Sequence, residues 1–89
     1  MKKTTSDAWF LYILKCKDAT YYTGVTNDLE RRLRMHQEGT ASRYTRSRLP
    51  VKMLYHETCE SRSDALKKEH AIKKLSRSDK EAYMRNYGH

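Results

Sequence analysis

The apolar residues near the start of the chain predict a β-hairpin. Residues 9–16 read WFLYILKC, so an extended chain carries apolar side chains on both faces, as in a strand at the centre of a sheet. Residues 17–20 form a turn, and residues 21–25 return as a second strand. Residues 1–8 are mostly polar, so we expect a disordered segment there and a single domain over residues 9–87.

A helix and a third strand are predicted after the hairpin. Asn27 followed by Glu30 is typical of a capping box, and Gly39 is a suitable C-cap, so the helix lies between Asn27 and Gly39. The polar and basic residues 40–50 are expected to form a short helix and a loop. Apolar and polar positions alternate in residues 51–57, which predicts the third strand.

Two further helix starts are indicated by capping pairs. These are Ser61 with Asp64 and Ser78 with Glu81. They predict a long helix over about residues 62–75 and a short final helix. The predicted order is therefore β-β-α-(α)-β-α-α. It defines an α/β protein of the α+β type, with a small three-stranded antiparallel sheet flanked by helices.

The chain is strongly basic. Its 19 Lys and Arg against 11 Asp and Glu give a net charge of +8, and the isoelectric point is about 9.7. Such a charge attracts phosphates or anionic membranes, although it can also serve solubility alone. Because the basic residues concentrate in residues 43–52, 67–74 and 77–85, we expect a surface that binds nucleic acid.

Neither a membrane span nor a signal peptide is expected, since no apolar stretch is longer than residues 9–14. Cys16 and Cys59 lack the close spacing of a metal-binding pair. A disulfide between them stays open as an alternative, but two buried thiols in a reducing cytoplasm are favoured. We therefore expect a cytoplasmic protein.

Three polar side chains fall on helix faces that must meet the sheet. At about 100° per residue, Arg32 and His36 lie beside the apolar stripe of Leu29 and Leu33. Glu69 lies within the apolar arc of the long helix. That arc is formed by Ala65, Leu66 and Ile72. Partly buried charges of this kind need partners, because an unpaired buried charge is costly.

These side chains allow two interpretations. In the first, Arg32 and Glu69 form a salt bridge between the helices, and His36 is a satisfied residue at the edge. In the second, they form a metal-and-phosphate site, in which Glu69 binds a divalent cation and Arg32 offsets the charge of a transition state. Both interpretations are open from the helix faces alone.

Two tyrosines in the hairpin bear on this choice. Tyr22 is followed by Thr23 and Gly24, and a glycine within a strand often marks the close approach of a ligand or of other atoms. A phenol can accept or relay a proton. Because strand side chains alternate, Tyr12 and Tyr22 share one face only if an odd-length loop or a bulge separates them. A regular four-residue loop places them on opposite faces.

These residues also occur as an ordered set. The triplet Phe10-Leu11-Tyr12 is followed by Tyr22-Thr23-Gly24, then by Arg32 eight positions after Gly24, and by Glu69 on a later helix. With the runs 22–32 and 44–51, this set resembles the GIY-YIG nuclease superfamily, and in particular its small stand-alone bacterial members. The resemblance extends over about residues 9–76.

The resemblance implies an endonuclease that hydrolyses DNA phosphodiester bonds with a single divalent cation, Mg²⁺ or Mn²⁺, in DNA repair or recombination. Glu69 is then the metal ligand, and Tyr12 accepts or relays the proton of the attacking water. Tyr22 and His36 position the water and the scissile phosphate, and Arg32 stabilises the transition-state charge. One carboxylate is a reasonable Mg²⁺ ligand, because Mg²⁺ keeps several waters.

The sequence also departs from the family pattern. The first triplet lacks the glycine and isoleucine of the signature, Val25 stands where some relatives have Lys, and Asn86 is too far along to match their downstream Asn. A nucleic-acid-binding module of the same fold with weak or no catalysis is therefore the alternative function. RNA in place of DNA is a variant of either function, and an adaptor for a protein partner is a third possibility.

Eight basic residues are candidates for binding the nucleic-acid backbone. They are Arg43, Arg46, Arg48, Lys52, Lys67, Lys68, Lys73 and Lys74. Phosphate contacts position nucleic acid without reading its sequence. No recognition helix, zinc finger or aromatic RNA-binding motif is visible, so we expect little sequence specificity. A monomer is assumed.

Overall fold

The computed structural model describes residues 8–87. The segment 1–8, predicted to be disordered, lies outside the described residues except for Ala8. The elements are β1 (Trp9–Lys15), β2 (Tyr21–Thr26), α1 (Leu29–Glu38), α2 (Arg43–Arg46), β3 (Lys52–Cys59), α3 (Arg62–Lys73) and α4 (Arg77–Tyr87). Their order confirms the predicted α+β fold. In the described part of the chain, no helix is long and apolar enough to cross a membrane.

The sheet has the strand order β2-β1-β3, and both pairs are antiparallel. Strand β1 is central, as its two apolar faces predicted. Its residues Leu11, Tyr12, Ile13 and Leu14 are at most 1% exposed. Burial of large apolar side chains contributes about 1.5–3 kcal/mol each, so both faces of β1 hold the fold together.

Each face of the sheet has its own core. On the face that we call the α1 face, Tyr12, Leu14 and Val51 pack with residues of α1 and α2. On the opposite face, which we call the α3 face, Leu11 and Ile13 pack with residues of α3 and α4. Cys16 and Cys59 are free and buried. They belong to the α1 face and the α3 face respectively, so the sheet separates the two thiols.

The loop of the hairpin decides which side chains share a face. Lys15 pairs with Tyr21, which leaves the five residues 16–20 as the loop. Within it, Ala19 has a φ of 69°, and the Asp18 carboxylate accepts hydrogen bonds from the backbone and the hydroxyl of Thr20. Because this loop has an odd length, Tyr12 and Tyr22 lie on the same face. The condition set by the sequence is met.

The observed N-caps of two helices differ from the predicted ones. The N-cap of α1 is Asp28, not Asn27, since the Asp28 carboxylate accepts the Arg31 N–H. Ser76, not Ser78, precedes α4, and its hydroxyl accepts the Asp79 N–H at 3.2 Å. The other caps were predicted correctly. They are Gly39, with a φ of 82°, and Ser61.

The apolar arc predicted for the long helix is also narrower than expected. Ala65 and Ile72 are buried, but Leu66 is 37% exposed. The helix itself ends at Lys73. Glu69 therefore lies at the margin of the buried stripe, and its side chain is 19% exposed.

Candidate active site

Strands β1 and β2 place Tyr12 and Tyr22 next to each other on the α1 face. Their ring centroids are 6.5 Å apart. Gly24 pairs with Tyr12 across the two strands, and a Cβ at Gly24 would lie 2.5 Å from the Tyr12 hydroxyl oxygen. No other residue fits there unless the Tyr12 ring moves. The close approach that this glycine indicated is thus that of the Tyr12 side chain itself.

Helix α1 brings His36 against Tyr12. His36 is fully buried, its Nε2 lies 2.8 Å from the Tyr12 hydroxyl, and its Nδ1 lies 2.9 Å from the Thr45 hydroxyl. The Thr45 hydroxyl donates to the Ser42 carbonyl oxygen, so it accepts the proton of Nδ1. Nε2 then accepts the hydrogen bond from Tyr12. His36 is satisfied, but in the interior and not at an edge.

Burial sets the protonation states of this pair. It lowers the pKa of His36 to about 4, and the nearby Arg32 guanidinium acts in the same direction. Burial also raises the pKa of Tyr12 to about 12, although the Arg32 guanidinium opposes this shift. At neutral pH, Tyr12 is therefore a phenol that donates to a neutral imidazole.

Arg32 lies one turn before His36 on α1 and is half-buried. Its Nε is fully buried, and within residues 8–87 it has no hydrogen-bond partner. A buried donor without a partner costs about 1–3 kcal/mol or more for a charged group. An anionic ligand that accepts a hydrogen bond from Nε would remove this free-energy cost.

Tyr22 lies at the outer side of the cluster. Its ring centroid is 5.1 Å from that of His36 and 6.0 Å from that of Tyr44, and Tyr22 is half-buried. Lys73 of α3 places its Nζ 6.0 Å from the Tyr22 ring. The Tyr22 hydroxyl is therefore in a better position to meet solvent or a ligand than that of Tyr12, which is 1% exposed as a residue.

Glu69 completes the predicted set from helix α3. Its side chain is 19% exposed, and its carboxylate lies 3.3 Å from Lys73. Its negative charge contributes to raising the pKa of Tyr12, which places it within electrostatic range of the tyrosine. Among the described residues, no salt bridge joins Glu69 to Arg32, so the first of the two interpretations does not apply.

The residues around Glu69 fit a hydrated divalent cation better than a protein cage. Within residues 8–87, no group of three His, Cys, Asp or Glu side chains could hold a metal ion. A single accessible carboxylate suits Mg²⁺, which keeps several waters and takes phosphate oxygens as ligands. Glu69 is the residue that would hold such an ion.

The eight basic candidates fall into two groups. Three of them already form ion pairs: Arg48 with Asp18 at 2.9 Å, Lys68 with Glu57 at 3.0 Å and with Asp64, and Lys73 with Glu69 at 3.3 Å within the site. The others are exposed, and they are Arg43, Arg46, Lys52, Lys67 and Lys74.

Thr45 was not among the residues predicted for the site, although it lies in the run 44–51 that resembles the family. Thr45 is fully buried in the four-residue helix α2. Its hydroxyl reaches His36 of the preceding helix. Nothing in the local pattern indicates this contact, because it depends on how α2 folds back on α1.

Comparisons with known proteins show the family of the chain. Residues 8–83 match the GIY-YIG catalytic domain. The chain therefore belongs to the GIY-YIG family, a nuclease superfamily whose substrate is nucleic acid.

Within that family the chain is similar to the UPF0213 proteins. It is 46% identical over 84 residues to UPF0213 protein DP2720 of Desulfotalea psychrophila, covering 93% of this chain and 76% of that protein. The solution structure of EF2693 from E. faecalis has a TM-score of 0.66 at 40% identity, covering 98% of this chain and 91% of that one. For UPF0213 protein BH0048 from Bacillus halodurans, the TM-score is 0.60 at 37% identity, covering 91% and 86%.

Proposed function

We propose that this protein is a metal-dependent endonuclease that hydrolyses DNA phosphodiester bonds with little sequence specificity. The observation that carries the proposal is the Arg32 guanidinium, whose buried Nε has no partner among the described residues. It lies beside Tyr12, whose hydroxyl donates a hydrogen bond to the buried neutral His36. Together these groups supply a binding point for phosphate and a route for a proton.

Tyr12 and His36 move the proton. The attacking water gives a proton to the Tyr12 oxygen while the Tyr12 proton passes to Nε2 of His36, 2.8 Å away. The water oxygen bonds to phosphorus as the P–O bond to the leaving group breaks. Because the pKa of His36 is lowered to about 4, Nε2 then returns its proton to Tyr12, and the proton taken from water passes from Tyr12 through solvent to the leaving oxygen. His36 thus acts behind Tyr12, and Tyr22 is the residue that meets water and the scissile phosphate.

Arg32 and Glu69 act on the phosphate. The Arg32 guanidinium donates to a phosphate oxygen and stabilises the charge that builds up there. A Mg²⁺ or Mn²⁺ ion bound through Glu69 would supply further positive charge at the same phosphate. Lys73 pairs with Glu69 at 3.3 Å, and it would be free to contact the nucleic-acid backbone if Glu69 bound a metal ion instead.

Backbone contacts fall mainly to the exposed candidates, since Arg48 and Lys68 are held in ion pairs. These candidates are Arg43, Arg46, Lys52, Lys67 and Lys74. The five residues contact phosphates and do not read bases, so the protein prefers no particular sequence. We place its action in the cytoplasm, in repair or recombination of DNA.

A plasmid-nicking assay tests the proposal. Purified protein is expected to nick supercoiled DNA with Mg²⁺ or Mn²⁺ and to stop when EDTA is added. Glu69→Gln should lower the rate by at least about 100-fold, as loss of an electrostatic contact to the transition state does in other enzymes. Glu60→Gln, an exposed Glu outside the site, is the matched control. Absence of cleavage on duplex, branched and single-stranded DNA would overturn the proposal.

The second candidate is a nucleic-acid-binding module with weak or no catalysis. It is favoured by the ion pair that already neutralises Glu69. In that case, salt-sensitive binding depends on the Lys and Arg residues, and Glu69→Gln leaves both binding and a residual cleavage rate unchanged.

A further inference from the structure

A cavity of about 350 Å³ opens beside the catalytic cluster. It lies between the start of α1, the start of α3 and the first residue of β1. The charged and aromatic residues that line it are Trp9, Asp28, Arg31, Arg32 and Arg62. We propose that this cavity binds a nucleotide adjacent to the scissile phosphate, with its phosphate on the arginines and its base against Trp9. The inference rests on the proposed function, because it names a subsite of the same nucleic acid.

The charges of the cavity select an anion. Three guanidinium groups line it against one carboxylate. That carboxylate, Asp28, accepts the Arg31 backbone N–H as the cap of α1. Within residues 8–87, neither the Arg31 nor the Arg62 side chain forms a salt bridge, and both residues are exposed. Two guanidinium groups are thus free to form charge-assisted hydrogen bonds with a phosphate.

Trp9 supplies a surface for a base. It is half-buried at the start of β1, and the Arg62 guanidinium lies 5.8 Å from its ring centre. Bases stack on aromatic rings and on arginine planes without regard to sequence. An indole beside a guanidinium therefore fits a nucleotide better than it fits an inorganic anion. The volume also falls in the range of about 300–1,000 Å³ that is usual for small-ligand sites.

Arg32 joins the cavity to the catalytic cluster. It lines the cavity, and its charge also affects the pKa of Tyr12 and of His36. Its buried Nε is the unpartnered donor at the boundary. A strand that places the scissile phosphate on Arg32 therefore extends one of its neighbouring nucleotides into the cavity.

Trp9 fluorescence measures this binding directly, because the chain contains one tryptophan. In EDTA, which prevents cleavage, we expect saturable quenching by a short single-stranded oligonucleotide and weaker quenching by thymidine monophosphate. Inorganic phosphate should compete with the nucleotide but bind more weakly than it. Equal affinity for inorganic phosphate would overturn the proposal, since the base would then contribute nothing.

Arginine variants locate the ligand. Arg31→Gln and Arg62→Gln should each weaken quenching by the oligonucleotide about tenfold and reduce the salt slope of binding by about one. Arg34→Gln is the matched control, since Arg34 is exposed on the same helix but does not line the cavity. Circular dichroism verifies that each variant folds. If Arg34→Gln weakens binding as much as Arg31→Gln does, the effect is one of general charge and the proposal fails.

The outcome is independent of catalysis. Glu69→Gln protein should still show saturable quenching that is weakened by Arg31→Gln and Arg62→Gln, even if cleavage is lost. If the wild type never cleaves DNA but Trp9 is quenched and the arginine variants differ from the control, the subsite stands and the nuclease proposal falls. If DNA is cleaved, or bound by fluorescence anisotropy, without any change at Trp9, the subsite is wrong.

Discussion

Each face of the sheet carries a cluster of tyrosine with a charged group, and the two clusters are built differently. On the α3 face, Glu57 accepts hydrogen bonds from Tyr55 at 2.5 Å and from Tyr83, and its other oxygen pairs with Lys68 at 3.0 Å. Burial acts to raise the pKa of Glu57, but these hydrogen bonds outweigh it and the pKa is lowered. Each of these side chains has a partner within the protein.

On the α1 face, by contrast, not every polar group of the cluster has a partner within the described residues. The phenol of Tyr12 and both ring nitrogens of His36 are satisfied. The Nε of Arg32 has no partner in the described part of the chain, and Glu69 is paired with an exposed lysine of its own helix. A closed network adds to stability, whereas an open one keeps capacity for a ligand.

Replacement of Arg32 should separate activity from stability most clearly. Arg32→Met is expected to lower the cleavage rate by about 100- to 1,000-fold, as loss of one transition-state donor does. It should change the free energy of unfolding by less than about 1 kcal/mol, because removal of the unpartnered buried Nε offsets loss of the hydrogen bond between the guanidinium and Tyr12. Nicking assays and urea unfolding measure the two quantities, and Arg34→Met is the control. A large loss of stability would show that Arg32 is structural.

Buried neutral His36 should make stability depend on pH. Its pKa is about 4 in the fold against 6.5 unperturbed, so between these values the unfolded state binds more protons. Stability is therefore lost as the pH falls from 6.5 towards 4, by up to about 3 kcal/mol. In His36→Gln this part of the slope should disappear, whereas in His70→Gln, at an exposed position, it should persist. Chemical unfolding at a series of pH values gives the slopes.

Glu57→Gln should break the closed network with the opposite result to Arg32→Met. We expect a loss of about 1–3 kcal/mol in the free energy of unfolding, because Lys68 loses one of its two charged partners and the two tyrosines lose a charged acceptor. Cleavage at a temperature well below unfolding should change less than about threefold, because the hydrogen-bond partners of Glu57 are outside the catalytic cluster.

The pH dependence of that loss identifies its source. The pKa of Glu57 is lowered in the fold, so its contribution is present above the unfolded pKa of about 4.3 and is lost as the pH falls through the folded value. The difference between wild type and Glu57→Gln should thus be largest near neutral pH. A difference that does not decline in acid would contradict this assignment.

Thr45→Val should give the smallest effect. The change keeps the shape of the side chain but removes the acceptor that holds the Nδ1 proton of His36. We expect about a tenfold loss of cleavage rate, together with a stability cost of about 1 kcal/mol. Thr45→Ser should restore most of the rate. Nitrogen NMR shifts of His36 report its tautomer, and an unchanged tautomer in Thr45→Val would exclude the positioning role of Thr45.

Much of the candidate site could be predicted, because the residues that form it occupy recognisable positions in local sequence patterns. The position of Arg32 and His36 beside an apolar helical stripe follows from periodicity alone, and the structure places both at the sheet. Glu69 was assigned in the same way, from its place in the apolar arc of α3. That arc is narrower than predicted, because Leu66 is exposed. The eight basic candidates stay a prediction, and charge composition did not show that Arg48 and Lys68 have partners within the protein.

The sequence by itself determined the order of strands and helices, the central strand and the caps at Gly39 and Ser61, because these depend on neighbouring residues. The tertiary structure alone decided that the hairpin loop has five residues and so puts Tyr12 and Tyr22 on one face. It also decided that Thr45 meets His36 and that Arg62 approaches Trp9. Such contacts join residues far apart in the chain, and they form only when register and packing bring separate elements together.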